Sequence, residues 1–462
     1  MDRRHAVRAV LLVAVLGSAG VLGAGWADAG RDVAAIADGA TDRPFADRRP
    51  VAPPREGTTV ITTDPPGGRG NATAALVALA PDGRVRYYDD TYDNYFDVDP
   101  DPPGSRTVLY VAGSRFDPCP PDLAERAPED VDTDGGCGLV AVDRTNLSTG
   151  ATTRLHTAVT AWDLWHDVDR VGDARLLVAD IARDRVAVVN TTTDAVEWAW
   201  DAEEDLRASS GGRAGDWTHL NDVERLPDGR VMVGLRNQDR VAFLDPGRGL
   251  IDGWTLGGED DYGVLYEQHN PDYIPEERGG PAIVVADSEN NRVVEYRREG
   301  GEWRRTWAWR DDRLRWPRDA DRLPGGHTLV TDSQGNRVIE VDERGGVVWQ
   351  VTIGTPYEAE RLGTGDESAT GRARRPSGTG TLGGSGDDGH GGASGQAGPL
   401  GRAVAFLAGP AVNGFLYAAP AWVTVGDLPA LALLLGSLVA WGLAELRWSW
   451  GRVRTAVAGR WW

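Results

Sequence analysis

The sequence of 462 residues contains no lysine: all 49 of its basic residues are arginine, against 70 acidic residues. The net charge of -21 repels a phosphate backbone, so the composition argues against a nucleic-acid partner. Such acidity is typical of a surface that stays hydrated at high salt, where charges are screened within a few ångströms. We therefore predict a halophilic protein and give the acidic excess no catalytic meaning.

Cysteine is nearly absent as well. The two cysteines, Cys119 and Cys137, stand in a stretch rich in Asp, Pro and Gly that holds no histidine, which argues against a metal site. A disulfide between them is the favoured interpretation, provided that the compartment is oxidising.

Long apolar runs are confined to the two ends of the chain. Residues 9–27 carry no charge and follow Arg3, Arg4 and Arg8, a pattern typical of a signal peptide or of a membrane anchor with its N-terminus inside. We assign residues 1–27 to this segment. The residues after it are expected outside the cytoplasm, on the extracellular face of the cell membrane.

The C-terminal end combines a polar stretch with two more charge-free runs. Residues 363–400, rich in Gly, Ser and Asp, predict a disordered linker. The positive-inside tendency favours one transmembrane helix at 425–446, an interfacial or re-entrant segment at 401–424 and a basic cytoplasmic tail at 447–462. A closed hairpin of two spanning helices is the alternative. The terminal segments are thus expected to contact membrane lipid.

Residues 57–362 contain six copies of one pattern. The clearest copies begin at His166, Asn221 and Arg318, each followed by an acidic residue and Val or Ala. Further short strands follow, and tryptophans mark the fourth: Trp198, Trp254, Trp307 and Trp349. Four short strands in a period of roughly 50 residues, separated by Gly, Asn and Pro-Asp-Gly turns, are typical of propeller blades.

The sixth copy, at 357–362, holds only a first strand. The three missing strands are available at the other end of the region, as Thr58–Thr62, Ala74–Leu79 and Arg84–Tyr88. Closing the ring in this way removes the free edge of an open array. We therefore predict an all-β fold, a six-bladed β-propeller closed by strands from both ends, with membrane segments at both termini.

A residue required by the blade should recur in every copy, whereas a residue required by chemistry need not. The first position of the innermost strands is almost entirely polar or aromatic, and these strands face a propeller's central channel. This column predicts a ring of ligand-facing side chains; water-lining polar groups that plug the channel are the alternative. The six residues are Phe96, His166, Asn221, His269, Arg318 and Tyr357.

Two further residues stand out in the copy that contains Asn221. Arg236 is the single arginine in its column after the second strand, and His219 has no histidine counterpart. Histidines and an arginine from three blades suggest transfer of an anionic group, because a guanidinium matches sulfuryl or phosphoryl oxygens and a neutral imidazole can attack such a centre. Zinc on three histidines is the rival, but the arginine would repel a cation.

The same region resembles the aryl-sulfate sulfotransferases of the cofactor-independent propeller type. The resemblance rests on DWTHLNDV at 216–223, VMVGLRNQ at 231–238 and YEQH at 266–269, and it covers roughly residues 164–351. It implies a six-bladed propeller that moves a sulfuryl group from a phenolic sulfate donor to a phenol acceptor. The implied mechanism is ping-pong transfer through a covalent histidine intermediate, with no cofactor or metal.

The resemblance also implies residue roles. His269 is similar to the nucleophile, His219 and Arg236 to the pair that binds the sulfuryl oxygens, and His166 to a further active-site histidine that assists proton transfer. Asn221 is similar to a polar contact to the group; we expect Arg318, Tyr357 and Phe96 to line the substrate site. The sequence leaves no room for the N-terminal β-sandwich that periplasmic members use in pairing.

Two other functions fit the same fold. One is a non-catalytic, membrane-anchored propeller that binds an anionic ligand or a cell-surface protein; it has no need of a third histidine in the channel. The other is an aryl sulfate hydrolase that uses the same histidine with water as acceptor.

Overall fold

The computed structural model of the chain describes residues 3–41, 43–65, 73–213, 216–365, 367–368, 370–374, 382–383, 409–420 and 422–458. The chain divides into two compact units. One comprises Met1–Asp32 and Trp422–Trp462, and the other comprises Val33–Ala421. Helix α1 (Arg3–Thr41) begins in the first unit and ends in the second.

The second unit is the predicted six-bladed β-propeller. Its strands in chain order are β1 (Thr58–Thr63), β2 (Leu76–Leu79), β3 (Val85–Asp89), β4 (Asn94–Pro100), β5 (Thr107–Phe116), β6 (Cys137–Asn146), β7 (Ala151–Thr160), β8 (Val168–Gly172), β9 (Arg175–Asp180), β10 (Arg185–Asn190), β11 (Ala195–Asp201), β12 (Leu220–Arg225) and β13 (Val231–Leu235). They continue as β14 (Arg240–Asp245), β15 (Gly249–Leu250), β16 (Leu256–Gly257), β17 (His269–Ile274), β18 (Ala282–Asp287), β19 (Arg292–Glu299), β20 (Glu302–Arg310), β21 (Pro317–Arg322), β22 (Thr328–Asp332), β23 (Arg337–Val341), β24 (Val347–Thr352), β25 (Pro356–Leu362) and β26 (Leu382–Gly383). Blades 1 to 5 start with β4, β8, β12, β17 and β21, and blade 6 has the order β25-β1-β2-β3.

The remaining elements are short, apart from the two terminal helices. Three more α-helices are α2 (Pro121–Ala124), α3 (Pro410–Ala418) and α4 (Leu428–Ala458). Single 3-10 turns occupy Phe45–Asp47, Ile181–Arg183, Ala202–Glu204, Arg236–Gln238, Asp252–Trp254, Glu276–Arg278 and Val425–Asp427.

Strands from both ends of the chain close the ring, as predicted. β1 pairs antiparallel with β25, with Thr59 opposite Arg361 and Ile61 opposite Ala359. β2 and β3 then extend this sheet outward. The first strand of the propeller is thereby hydrogen-bonded between two others and presents no edge to solvent.

Apolar side chains fill the spaces between neighbouring blades. Side chains on a strand alternate between its two faces, so one strand serves two interfaces. In β13, Val231 and Val233 pack with blade 2 residues such as Trp200, whereas Met232 packs with blade 4 residues such as Tyr273. Six such clusters, one for each pair of neighbouring blades, hold the ring together.

Acidic residues of the repeat link neighbouring blades at five of the six junctions. Their carboxylates accept hydrogen bonds from backbone N–H groups of the following inner strand, which gives the recurring acid a structural role. The bonds are Asp97 to Val168 (3.2 Å), Asp167 to Val223, Asp169 to Arg225 (2.6 Å), Glu224 to Tyr273 (2.9 Å), Asp319 to Ala359 (3.1 Å) and Glu358 to Val98 (3.0 Å).

Two predictions about the blades have different outcomes. Cys119 and Cys137 form the predicted disulfide, in the insertion between β5 and β6. The prediction that Trp254 lies on a fourth strand is wrong, because it lies in a 3-10 turn between the two-residue strands β15 and β16. There the indole packs under the guanidinium of Arg230, whose central carbon lies 3.6 Å from the ring centroid.

Packed structure continues beyond Leu362, the predicted end of the propeller, into the segment predicted as a disordered linker (363–400). Ser368 is fully buried; its hydroxyl donates to Asp272 and accepts from the backbone N–H of Arg322 at 2.6 Å. The backbone N–H of Arg374 donates to Glu295 at 2.8 Å. Residues 375–381 and 384–408, which include most of the predicted linker, lie outside the described residues.

The first unit pairs two apolar helices. Arg3–Ala27 of α1 and the segment Val425–Trp450, which contains most of α4, are long and apolar enough to cross a membrane. Arg8 donates to the carboxylate of Glu445 at 2.5 and 2.7 Å, and the Arg4 and Arg8 guanidinium groups lie over the Trp448 ring. The helices are therefore antiparallel, with the N-terminal arginines beside the C-terminal end. Helix α4 continues to Ala458, through the sequence predicted as a basic tail.

Candidate active site

The six side chains predicted to form a ring lie buried at one end of the channel. All of them are less than 9% exposed. Phe96 stacks on His166 with centroids 4.4 Å apart, and Tyr357 meets both rings edge-on. The Tyr357 hydroxyl lies 3.2 Å from His166 Nδ1, and Arg318 lies over the Tyr357 ring. Asn221 donates to the carbonyl of Gln268, directly before His269, at 3.1 Å.

Bulges in the inner strands occur at the ring positions. The register of β12 against β13 shifts at Asn221, and that of β21 against β22 shifts at Arg318. Equivalent shifts occur at Phe96 and Tyr357, and in β17 the shift directly follows His269. A bulge adds one residue to one strand and re-aims its side chain. The ring is thus a consequence of strand irregularity repeated around the propeller.

A second set of residues forms the rim of the site, two positions before the ring residue in four consecutive blades. His219, Glu267, Trp316 and Thr355 all have a left-handed backbone, with φ between 43° and 50°. Such conformations cost about 1–3 kcal/mol in non-glycine residues and persist only where surrounding contacts impose them.

The preceding blade supplies those contacts. An Asp or Asn side chain in a turn accepts a backbone N–H of the rim segment, at distances of 2.8–3.0 Å. The pairs are Asp184 with Thr218, Asp239 with Glu267, Asn291 with Trp316 and Asn336 with Thr355. The rim is therefore a built feature of the fold, and it places His219 and Glu267 at the entrance of the channel.

His269 is the most deeply enclosed of the candidate catalytic groups, at 2% exposure. Its Nδ1 lies 2.9 Å from the hydroxyl of Ser288, and its ring meets that of Trp316 at 5.5 Å. Burial lowers the pKa of His269 well below its ordinary value, and the charges of Arg236 and Arg318 lower it further. The imidazole is therefore neutral, which an attacking nitrogen requires.

His219 forms a pair with a carboxylate. Its Nδ1 lies 2.6 Å from Asp216 Oδ1, so Nδ1 carries the hydrogen and the neutral ring has its lone pair on Nε2. Burial lowers the pKa of His219, and the hydrogen bond to Asp216 opposes that shift. His219 meets His166 edge-on at 5.3 Å. Burial also lowers the pKa of His166 well below its ordinary value.

Two arginines flank the histidines, and each is held by an acid. Arg236 donates to Glu267 and, at 2.8 Å, to Asn237; its buried Nε–H has no partner among the described residues. Arg318 donates to Asp64 at 3.0 Å and lies over Trp316. Both guanidinium groups keep N–H donors for oxygens of an incoming anion.

A helix from the C-terminal region packs at the same end of the propeller. In α3, Asn413 donates to Glu289 at 3.0 Å and accepts from Gln334 at 3.1 Å, and Tyr417 meets Trp316 edge-on at 5.6 Å. Burial raises the pKa of Glu289 to about 7. Part of the segment predicted to be interfacial or re-entrant therefore contacts the propeller beside the site.

Part of the chain matches a known family. Residues 202–354 match the arylsulfotransferase (ASST) family model. This match covers about a third of the chain and includes His219, Arg236, His269 and Arg318, but neither His166 nor Tyr357. No curated protein matches the sequence.

Solved structures are similar to the chain only at low identity. A protein of unknown function from Bacteroides caccae has a TM-score of 0.44 at 12% identity and covers 66% of this chain and 97% of its own. The periplasmic gluconolactonase PpgL of Pseudomonas aeruginosa has a TM-score of 0.41 at 15% identity, and the match covers 67% of this chain and 99% of that one. A chain of the Nidogen/Laminin complex has a TM-score of 0.44 at 13% identity, and the match covers 67% of this chain and 100% of that one. These scores carry no argument about function.

Four residues within the arylsulfotransferase match contact the catalytic candidates but did not emerge from the sequence: Asp216, Glu267, Ser288 and Trp316. Glu267 and Trp316 precede ring residues by two positions, so a comparison of that column between blades would have found them. Asp216 lies three residues before its histidine. Ser288 gave no signal, because its column also holds Ser333.

Metal-ligand geometry occurs deeper in the channel. Within the described part of the chain, two groups of three buried acids have ligand oxygens within 4.8 Å of one another. They are Asp97, Asp99 and Glu358, and Asp272, Asp319 and Asp321; neither contains a site histidine. Burial raises the pKa of Asp272 and Glu358 well above the ordinary range, so these acids can hold protons. Several already bind backbone amides of the next blade, which is the role we assign to them.

Proposed function

We propose that the protein is an aryl-sulfate sulfotransferase that moves a sulfuryl group from a phenolic sulfate ester to a phenol by a ping-pong mechanism. The observation that carries the proposal is the buried His269, whose Nδ1 lies 2.9 Å from the Ser288 hydroxyl and whose pKa is lowered by burial and by the charges of Arg236 and Arg318. The arylsulfotransferase match over residues 202–354 supports the same class. A site with two cations and a neutral nucleophile suits a substrate that brings its own negative charge.

In the first half-reaction, Nε2 of His269 attacks the sulfur of the donor ester. The nitrogen–sulfur bond forms as the bond between sulfur and the phenolic oxygen breaks, and the phenolate leaves with the electron pair. Arg236 is assigned to the sulfuryl oxygens, and Arg318 is the second cation of the site. The oxygens carry negative charge throughout, so two fixed guanidinium groups favour both the bound ester and the transition state.

His219 is assigned both to the sulfuryl oxygens and to proton transfer. With Nδ1–H bound to Asp216, only a protonated Nε2 can donate to an oxygen, and the anionic ester raises the pKa of the ring toward that form. This proton can pass to the departing phenolate. In the second half-reaction, Nε2 of His219 takes the proton of the acceptor phenol. The phenol oxygen attacks sulfur, and the electron pair of the nitrogen–sulfur bond returns to Nε2 of His269.

The aromatic and amide side chains of the ring are assigned to the substrate site. His166 contacts the Phe96 ring and the Tyr357 hydroxyl; we assign it to assist the proton step. Asn221 is buried and bonded to the carbonyl of Gln268, directly before His269, and its Oδ1 has no partner among the described residues. A phenolic substrate requires such apolar and hydrogen-bonding walls around a small ring.

The terminal helices are proposed to anchor the enzyme in the cell membrane. The antiparallel pairing of Arg8 with Glu445 brings the arginines at both ends of the chain to the same side, and the positive-inside tendency makes that side cytoplasmic. The propeller then lies on the extracellular face. An epitope after Trp462 should resist protease added to intact cells; its digestion would contradict this orientation.

The test of function uses the full chain in detergent at high salt, with 4-nitrophenyl sulfate as donor. We expect nitrophenol release that rises when phenol is added, together with labelled phenyl sulfate from a ³⁵S donor. His269→Ala should abolish both signals, whereas His327→Ala, at a partly exposed histidine paired with Glu340, should retain them. Nitrophenol release at a rate that does not depend on phenol would identify a hydrolase. No nitrophenol release at all would favour a binding protein.

A further inference from the structure

Two serines occupy equivalent positions directly after the second strands of blades 4 and 5. Ser288 and Ser333 are both buried, at 0% and 2% exposure. The hydroxyl of Ser288 donates to the carbonyl of Pro317 at 2.7 Å, and that of Ser333 donates to the carbonyl of Pro356 at 2.6 Å. Each serine therefore makes the same hydrogen bond to the next blade, just before its ring residue.

The two positions differ in one contact. Ser288 Oγ also lies 2.9 Å from Nδ1 of His269. A serine hydroxyl has one hydrogen, and a backbone carbonyl can only accept. The Ser288 hydrogen is committed to Pro317, since two oxygens 2.7 Å apart without a hydrogen between them would repel each other. Ser288 must therefore accept from the ring, and the hydrogen of the neutral imidazole lies on Nδ1.

This assignment decides which ring nitrogen can react. With the hydrogen on Nδ1, the lone pair lies on Nε2, at the far side of the ring from Ser288. We propose that Ser288 is a positioning residue that holds His269 in the tautomer with a nucleophilic Nε2. The proposal rests on the sulfotransfer mechanism above, in which Nε2 attacks sulfur and the Nδ1–H stays bound to Ser288 while the ring carries positive charge.

The repeat provides a matched control. Ser288→Ala removes both the inter-blade hydrogen bond and the acceptor for Nδ1–H, whereas Ser333→Ala removes an equivalent inter-blade bond without touching a histidine. A wrong tautomer costs about 10⁴ in kcat in the serine-protease case. Losing only the preference for one tautomer costs less than locking the ring in the wrong one. We therefore expect Ser288→Ala to lower kcat for donor cleavage on the order of tenfold to a hundredfold with little change in KM. Ser333→Ala should stay within about twofold, and Ser288→Thr, which keeps the hydroxyl, should recover most of the rate.

A second readout does not depend on activity. In protein labelled with ¹⁵N-histidine, the nitrogen shifts of His269, assigned with His269→Ala, distinguish the hydrogen-bearing nitrogen from the bare one. We expect hydrogen on Nδ1 in the wild type and in Ser333→Ala, and a mixture of tautomers in Ser288→Ala.

Each outcome decides the proposal. Hydrogen on Nε2 in the wild type, or equal losses of rate in Ser288→Ala and Ser333→Ala, would overturn it. If the wild type transfers no sulfuryl group yet shows the Nδ1–H tautomer only when Ser288 is present, the proposed function fails and the positioning role stands.

Discussion

Replacing Arg236 by lysine tests how the sulfuryl group is held. The guanidinium has five N–H donors, of which one bonds Glu267 and one bonds Asn237. The other donors, among them a buried Nε–H with no partner among the described residues, remain for substrate oxygens. A lysine ammonium has three N–H donors on one atom. It cannot serve Glu267, Asn237 and two sulfuryl oxygens at once.

The expected loss is at least one charge-assisted hydrogen bond in the transition state. Such a bond contributes about 1.5–3 kcal/mol, which corresponds to roughly a 10- to 150-fold lower kcat/KM. The same sulfuryl group is held in both half-reactions, so nitrophenol release in a single turnover and transfer to phenol should fall together. Stopped-flow measurement of the burst and steady-state measurement with acceptor separate the two.

Arg185→Lys is the matched control. Arg185 also bonds an acid, Asp180 at 3.0 Å, but it lies at the start of β10, outside the ring. We expect this variant to retain the wild-type kcat/KM. A value for Arg236→Lys within twofold of wild type, or an equal loss in Arg185→Lys, would refute the assignment of Arg236 to the sulfuryl oxygens.

Three other predictions concern pH and stability. Because burial keeps the pKa of His269 below its ordinary 6.5, the nucleophile stays neutral as pH falls through 6.5; kcat/KM for donor cleavage should decline only at lower pH, and a half-maximal point at or above 6.5 would contradict the assignment. Replacing Cys119 and Cys137 together by serine opens a loop with a sequence separation of 18 residues. In chemical denaturation, the free energy of unfolding of this variant should be about 3 kcal/mol lower than that of the oxidised wild type. Asp319→Ala leaves the buried N–H of Ala359 without its acceptor and should cost about 1–3 kcal/mol in the same assay; an unchanged unfolding midpoint would argue against the blade-linking role of the channel acids.

The repeat made the fold predictable from sequence. An acid directly follows five of the six ring positions, and at four of these it bonds the next blade, as Asp97, Asp167, Asp319 and Glu358. Val and Leu recur because each strand packs on two neighbours. Ring closure followed from the sixth copy, which lacked three strands. Trp254 could not be placed, since its stabilising contact with Arg230 joins residues that no strand pattern connects.

The candidate site was predictable at positions where a chemically active residue stands in place of the usual structural one. It was unpredictable at positions where one residue has both a structural and a catalytic contact. Arg236 stood out because it is the single arginine in its column, and His269 because its column is almost entirely polar or aromatic and varies between copies. Ser288 did not, because its bond to Pro317 is repeated by Ser333 and its bond to His269 is visible only in three dimensions. Glu267 could have been found by comparing its column between blades, but its left-handed backbone and its bond to Arg236 are visible only in three dimensions.

Ring closure has a consequence for how the chain folds while it is being synthesised. The partner of β1, residues Pro356–Leu362, is synthesised almost 300 residues after it, so β1 must wait with an unpaired edge while five blades form. A chain that stalls or is cut before Tyr357 would keep that edge permanently exposed and would be prone to pair with another copy. Synthesis and docking of β25, rather than the folding of any of the first five blades, is then the step that removes the exposed edge.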